Sequence, residues 1–189
     1  DEVVWIAVQR EWKNDPQGFA KILRYQPANK TWGVLHYPLD KTTAAGGWVG
    51  LSEITAVGPN DFVVIERDNQ FGDKSLKTLR AFSVAGLVPA AVGASQVPVV
   101  SKRLVRDLVP ELQKPQGTVL DKVESFAVDA AGNAFAITDL KHNVVRLEYR
   151  AVACYNEKKE FLCAQTNGKN VSHTRWWRTR STVLAHEFG

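Results

Sequence analysis

The stretch Gly50-Leu51-Ser52-Glu53-Ile54-Thr55-Ala56-Val57-Gly58-Pro59-Asn60-Asp61-Phe62-Val63-Val64-Ile65-Glu66-Arg67-Asp68-Asn69 decides how the chain is read. It describes a strand, a tight turn and a second strand. Ile54, Ala56 and Val57 make a short apolar strand, and Gly58-Pro59-Asn60-Asp61 is a strong turn signal because each of these residue types suits turn geometry. Phe62 to Ile65 is an unbroken β-branched and aromatic run, as expected of a strand covered on both faces. It is expected to stop at Glu66-Arg67-Asp68-Asn69 and so to deliver two carboxylates to the edge of a sheet.

The design recurs. Val123-Glu124-Ser125-Phe126-Ala127-Val128 leads through Asp129-Ala130-Ala131-Gly132-Asn133 into Ala134-Phe135-Ala136-Ile137-Thr138-Asp139. A gapless alignment matches Glu53 with Glu124 and Asp68 with Asp139. A partial copy, Val3 to Glu11, opens the chain. Each unit runs on into mixed apolar and polar strands: 20–25, 76–84 and 143–149. Antiparallel units of roughly 60–70 residues with polar strand ends predict propeller blades. The fold expected is therefore all-β and propeller-like, an incomplete set of about three blades. Residues 1–150 form that domain, and residues 151–189 form an atypical basic tail.

Composition agrees with a globular domain: 189 residues, 44% hydrophobic and 23% charged. No apolar run approaches the ~18 residues of a membrane span. The chain contains no Met and opens on Asp1-Glu2, so it is expected to be processed or a fragment lacking earlier blades. Of the net charge of +4, the tail contributes +3, which leaves the body nearly neutral and gives no electrostatic case for nucleic acid. The tail carries the basic and aromatic cluster His173 to Arg180 and both cysteines, Cys154 and Cys163, whose spacing would suit a hairpin bridge in an oxidising compartment. It is expected to be less ordered than the body. Val105 to Pro110 reads as a short strand or turn, and Glu111-Leu112-Gln113-Lys114 as too short for a stable helix.

Residues 1–139 resemble the bacterial β-propeller family described as "esterase-like activity of phytase". The resemblance rests on Gly50 to Thr55, on Val63 to Asn69, on Leu76-Lys77-Thr78-Leu79-Arg80, on Asp121 to Ala127, on Ala136-Ile137-Thr138-Asp139 and on the opening Val4 to Glu11. It implies a periplasmic or secreted propeller that hydrolyses a small-molecule ester or phosphate ester, with acidic strand ends that hold Ca²⁺. The chain departs from the family after Asp139, where Leu140-Lys141-His142-Asn143 replaces an Asp- and Asn-rich loop.

The candidate metal ligands are the carboxylates placed by strand ends or by the repeat: Glu53, Glu66, Asp68, Asp73, Glu124 and Asp139. Ca²⁺ takes about 6–8 oxygens, and such hard ligands suit it. Glu66 and Asp68 are the candidate catalytic pair, acting as base on a metal-held water. The competing reading makes Glu53 and Glu124 structural, paired with Arg67 or Lys122. Ser52 lacks the second glycine and the strand–turn–helix setting of a nucleophile elbow. The four histidines show no metal spacing. The alternative function is a non-catalytic propeller that binds a ligand or partner across its blade ends.

Overall fold

The computed structural model describes residues 2–116, 119, 122–130 and 132–138, with the backbone course of three further strands, 144–150, 153–155 and 161–163. Antiparallel sheets dominate it. The first holds β1 (Val4–Ala7), β2 (Phe19–Gln26) and β3 (Thr31–Pro38) in the order β1-β2-β3. The second holds β4 (Val49–Ala56), β5 (Asp61–Asp68), β6 (Lys77–Ser83) and β7 (Lys102–Asp107), again in chain order. The third holds β8 (Val123–Val128), β9 (Asn133–Thr138) and β10 (Val144–Arg150), and β11 (Ala153–Tyr155) pairs with β12 (Phe161–Cys163). Successive sheets touch through their first strands, β1 against β4 and β4 against β8. The chain is nearly all-β, as its strand patterns predict, with one short helix among the described residues.

The second sheet lies between the other two, and the period of two along β5 decides what each side receives. Phe62 and Val64 join Ile22, Leu35, Tyr37 and Phe82 in the core against the first sheet. Val63 and Ile65 join Leu79, Val123, Phe126 and Ala136 in the core against the third. This explains the unbroken apolar run: both faces of β5 are covered. In β9 Ala134, Ala136 and Thr138 are buried and alternate with half-buried Asn133, Phe135 and Ile137, so that strand is covered mainly on one side.

Two expectations about this region are corrected. β5 does not stop at Ile65 but continues through Asp68, paired with β4 and β6 on its two sides. Its backbone is satisfied by both ladders, so Glu66, Arg67 and Asp68 lie inside the sheet and not at its rim. The repeat also slips by one residue. Leu51 pairs with Glu66 and Glu53 with Ile65, leaving Ser52 as a bulge. In the third sheet Val123 pairs with Thr138 and Ser125 with Ile137, leaving Glu124 as the bulge. Glu53 is therefore the counterpart of Ser125, and Ser52 of Glu124. A bulge conserves ladder pairing while shifting side-chain parity, which a gapless alignment cannot register.

A third correction concerns the segment after β7. Val109–Gln116 is helical (α1). Asp107 Oδ1 accepts the Val109 amide at 3.0 Å, and the Leu108 carbonyl accepts the Leu112 amide at 2.9 Å. Pro110 sits in the first turn, where its missing N–H costs nothing. Tertiary packing stabilises the short helix: Leu108, Val109 and Leu112 enter the core between the second and third sheets. The Ala-, Val- and Pro-rich connection after β6 returns to the edge of β3, where Ala90 exchanges bonds with Val34 and both Pro98 and Val100 bond His36. It covers an edge that would otherwise be open to pairing.

The register sets Cys154 opposite Leu162 and Cys163 opposite Ala153, so the cysteines are not directly opposed for the bridge that their spacing suggested. Asp139, the His173 to Arg180 cluster and the expected lower order of the tail lie outside the described residues.

Candidate functional site

Strand parity sorts the three charges of β5 between two interfaces. Glu66 faces the first sheet and is fully buried. The Tyr37 hydroxyl donates to its Oε2 at 2.8 Å, Lys102 Nζ donates to both oxygens at 2.8 and 2.7 Å, and the Asp40 amide donates to Oε1. Asp40 in turn pairs with Arg80 and with Lys102. Arg80 Nε stays 3.8 Å from Glu66 and makes no hydrogen bond among the described residues. Burial, then the adjacent Glu66 charge, pushes the Tyr37 phenol up, so Tyr37 remains a donor.

Asp68 is likewise fully buried, and so is Lys77 beside it. Lys77 Nζ donates to Asp68 Oδ1 at 2.8 Å and to the carbonyls of Asp68 and Gln70, both at 2.9 Å. Thr42 Oγ1 donates to Oδ2 at 3.0 Å. Burial pushes the Asp68 carboxyl up, but the Lys77 hydrogen bond, backbone bonds and the Lys77 charge outweigh it and hold it below the usual carboxylate range.

Arg67 faces the third sheet. Its Nε donates to Ser52 Oγ at 2.9 Å and its Nη2 to Glu124 Oε1 at 2.8 Å, so both bulge residues bind one guanidinium. The same guanidinium stacks 5.1 Å from the Trp48 ring, and that of Arg10 lies 4.7 Å from it. Glu53 lies beside Glu124. Its Oε1 accepts the Ile54 amide at 3.0 Å and its Oε2 accepts Ser125 Oγ at 3.4 Å, with no cation on it among the described residues. Burial pushes the Glu53 carboxyl up; the Ile54 and Ser125 bonds lower it in part, and the Glu124 charge raises it. Thr55 Oγ1 donates to the Phe126 carbonyl at 2.9 Å and pins β4 to β8 next to this group.

The six expected carboxylates thus divide. Glu53 and Glu124 come together as neighbours across the contact of β4 with β8, although the bulges make them non-equivalent positions. Glu66 and Asp68 lie on the other side of the second sheet, in separate polar clusters. Asp73 is exposed on the loop before β6, and Asp139 lies outside the described residues. Among the described residues no three His, Cys, Asp or Glu side chains group as a metal needs. The oxygens of Glu66 and Asp68 already accept ammonium, phenol, hydroxyl and amide donors, so the described residues do not fit the Ca²⁺ that acidic strand ends imply. Tyr37, Asp40 and Lys102 carried no sequence signal, and Lys77 sits in a quoted motif without any sign that it meets Asp68. Arg10 sits in a quoted motif and Trp48 just before one, but nothing in their spacing places them together.

No curated protein and no solved structure matches the chain. The family model described as "Phytase-like: Esterase-like activity of phytase" matches residues 1–139. A match over that share of the chain, resting on the strands that build the Arg67, Glu53 and Glu124 group, shows that this chain belongs to the phytase-like family.

Proposed function

We propose that the chain is a hydrolase domain that acts on an ester or phosphate ester at the seam of β4 and β8, with Glu53 as the acid–base group. One observation carries this reading. Two carboxyl groups sit side by side in unlike settings: Glu124 is held by Arg67, whereas Glu53 has only neutral donors and a carboxyl pushed up by burial. Neighbouring carboxyls with separated environments are how acid and base roles are divided. Glu53 would take a proton from water as the water oxygen bonds to the acyl carbon or phosphorus. As the bond to the leaving oxygen breaks, the same proton passes to that oxygen. Arg67 orients Glu124 and its charge faces negative charge developing on the reacting group.

Glu66 and Asp68 have a different role in this reading. They neutralise Lys102 and Lys77 inside the protein and hold the first two sheets together. Their complete internal pairing also favours the second reading, a propeller that binds a ligand without turning it over. Hydrolysis of p-nitrophenyl phosphate and p-nitrophenyl acetate by the full chain across pH 4–9 separates the two. Turnover whose pH dependence disappears in Glu53→Gln supports the hydrolase, and no turnover of either ester leaves the binding module.

A further inference from the structure

We propose that Ser125 is the positioning residue of Glu53: its hydroxyl, together with the Ile54 amide, locks the Glu53 carboxyl in the orientation that takes the proton from water. This deepens the proposed function and rests on its assignment of Glu53. The Ile54 amide donates to Oε1 at 3.0 Å and Ser125 Oγ to Oε2 at 3.4 Å, so each oxygen has a donor. A carboxylate oxygen offers about two lone pairs, which leaves room on each for the reacting water. Donors on opposite oxygens fix the otherwise broad terminal torsion of a glutamate side chain. The amide belongs to the residue next to Glu53, whereas Ser125 arrives from β8 across 72 positions of chain and holds the carboxyl to the far side of the seam.

The bulges place Ser125 there. β4 and β8 are the first strands of neighbouring sheets and pack against one another. Each has its bulge one residue earlier, so Glu53 opposite Ile65 and Ser125 opposite Ile137 are counterparts. A carboxylate in both copies would set two like charges together, and a hydroxyl in one copy supplies a donor instead. The width of the seam does not depend on Ser125 itself. Thr55 Oγ1 donates to the Phe126 carbonyl at 2.9 Å and ties the same two strands. The charged groups around Glu53 are Glu124 on β8 and, binding Glu124, Arg67 on β5. Neither is bonded to Glu53 among the described residues, so the Ser125 bond is the side-chain contact that favours its ionised form.

Ser125→Ala and Ser125→Thr in the full chain test the proposal through the pH profile of p-nitrophenyl phosphate hydrolysis and, without turnover, through the titration of the Glu53 carboxyl followed by carbon NMR of labelled glutamate and assigned with Glu53→Gln. Ser125→Ala should lower kcat about tenfold, the scale of one charge-assisted hydrogen bond, with KM unchanged. Its acid limb and the Glu53 titration should both move to higher pH, because the ionised carboxyl loses a donor. Ser125→Thr keeps the hydroxyl and should restore both. In a Glu53→Gln background Ser125→Ala should cost nothing further, since Ser125 acts through Glu53. A Glu53 titration unmoved by Ser125→Ala overturns the proposal, and so does Glu53-dependent turnover with an unchanged acid limb, which leaves the proposed function standing. A Ser125-dependent titration without turnover of either ester leaves the positioning contact standing and removes the hydrolase.

Discussion

Arg67 Nη2 donates to Glu124 Oε1 at 2.8 Å across 57 positions of chain, and this bond ties the second sheet to the third. Arg67 is nearly fully buried, whereas the Glu124 side chain is 29% exposed. Replacing Arg67 with Met therefore strands a partly hydrated carboxylate and a buried Ser52 hydroxyl. Loss of about 2 kcal/mol is expected, below the cost of breaking a fully buried pair. Urea unfolding of both proteins measures it, and a midpoint unchanged by the substitution contradicts the structural role of this bond.

Lys77 and Asp68 are both fully buried, so breaking their pair should cost more. Lys77→Met leaves an uncompensated carboxylate and should destabilise by about 3–5 kcal/mol. The double variant Lys77→Met/Asp68→Asn should lose less than the sum of the single changes. The pH dependence follows from the lowered Asp68 carboxyl. Its contribution is present above the unfolded value of about 3.9 and is lost as pH falls through the lower folded value. The stability gap between the wild type and Asp68→Asn should therefore shrink below about pH 4. A gap that widens on acidification would show that Asp68 is not held ionised.

Glu53 carries the opposite sign. Its folded carboxyl is pushed up, so ionising it weakens the fold as pH rises above the unfolded value of about 4.3. Glu53→Gln should match or exceed the wild type in melting temperature at pH 8, with the two converging at pH 4. A Glu53→Gln protein that melts well below the wild type at pH 8 would assign Glu53 a structural role.

Added Ca²⁺ should leave the melting temperature of the full chain unchanged. Glu66 and Asp68 each already hold an ammonium group, and displacing Lys102 or Lys77 would bury an unpaired cation. Saturable binding seen by calorimetry, with a raised melting temperature lost in Asp68→Asn, would restore the metal reading.

Much of the fold was legible in residue pattern. Phe62 to Ile65 announced a strand covered on both faces because no position was spared for solvent, and Gly58 to Asp61 marked the turn before it. The repeat of antiparallel sheets was legible too, but its register was not. Ser52 and Glu124 are bulges, and a bulge moves every later side chain to the other face without changing composition. The end of β5 was misplaced for a related reason. Glu66, Arg67 and Asp68 look like a solvated strand end until Lys102, Lys77 and Glu124 arrive from distant strands to neutralise them. Helix α1 was hidden because Leu108 and Leu112 gain their stability from the cores of two sheets and not from local propensity. Arg67 as a partner for Glu124 was among the readings open to the sequence, whereas nothing in the sequence joined Arg10 to Trp48.

We proposed that Glu53 performs the proton transfer in ester hydrolysis. Its most direct test is kcat of Glu53→Gln on p-nitrophenyl phosphate at neutral pH, with circular dichroism confirming the fold. A fall of about 10²–10⁴-fold is expected, the usual contribution of a positioned acid–base group. An unchanged kcat in a folded Glu53→Gln protein would contradict it.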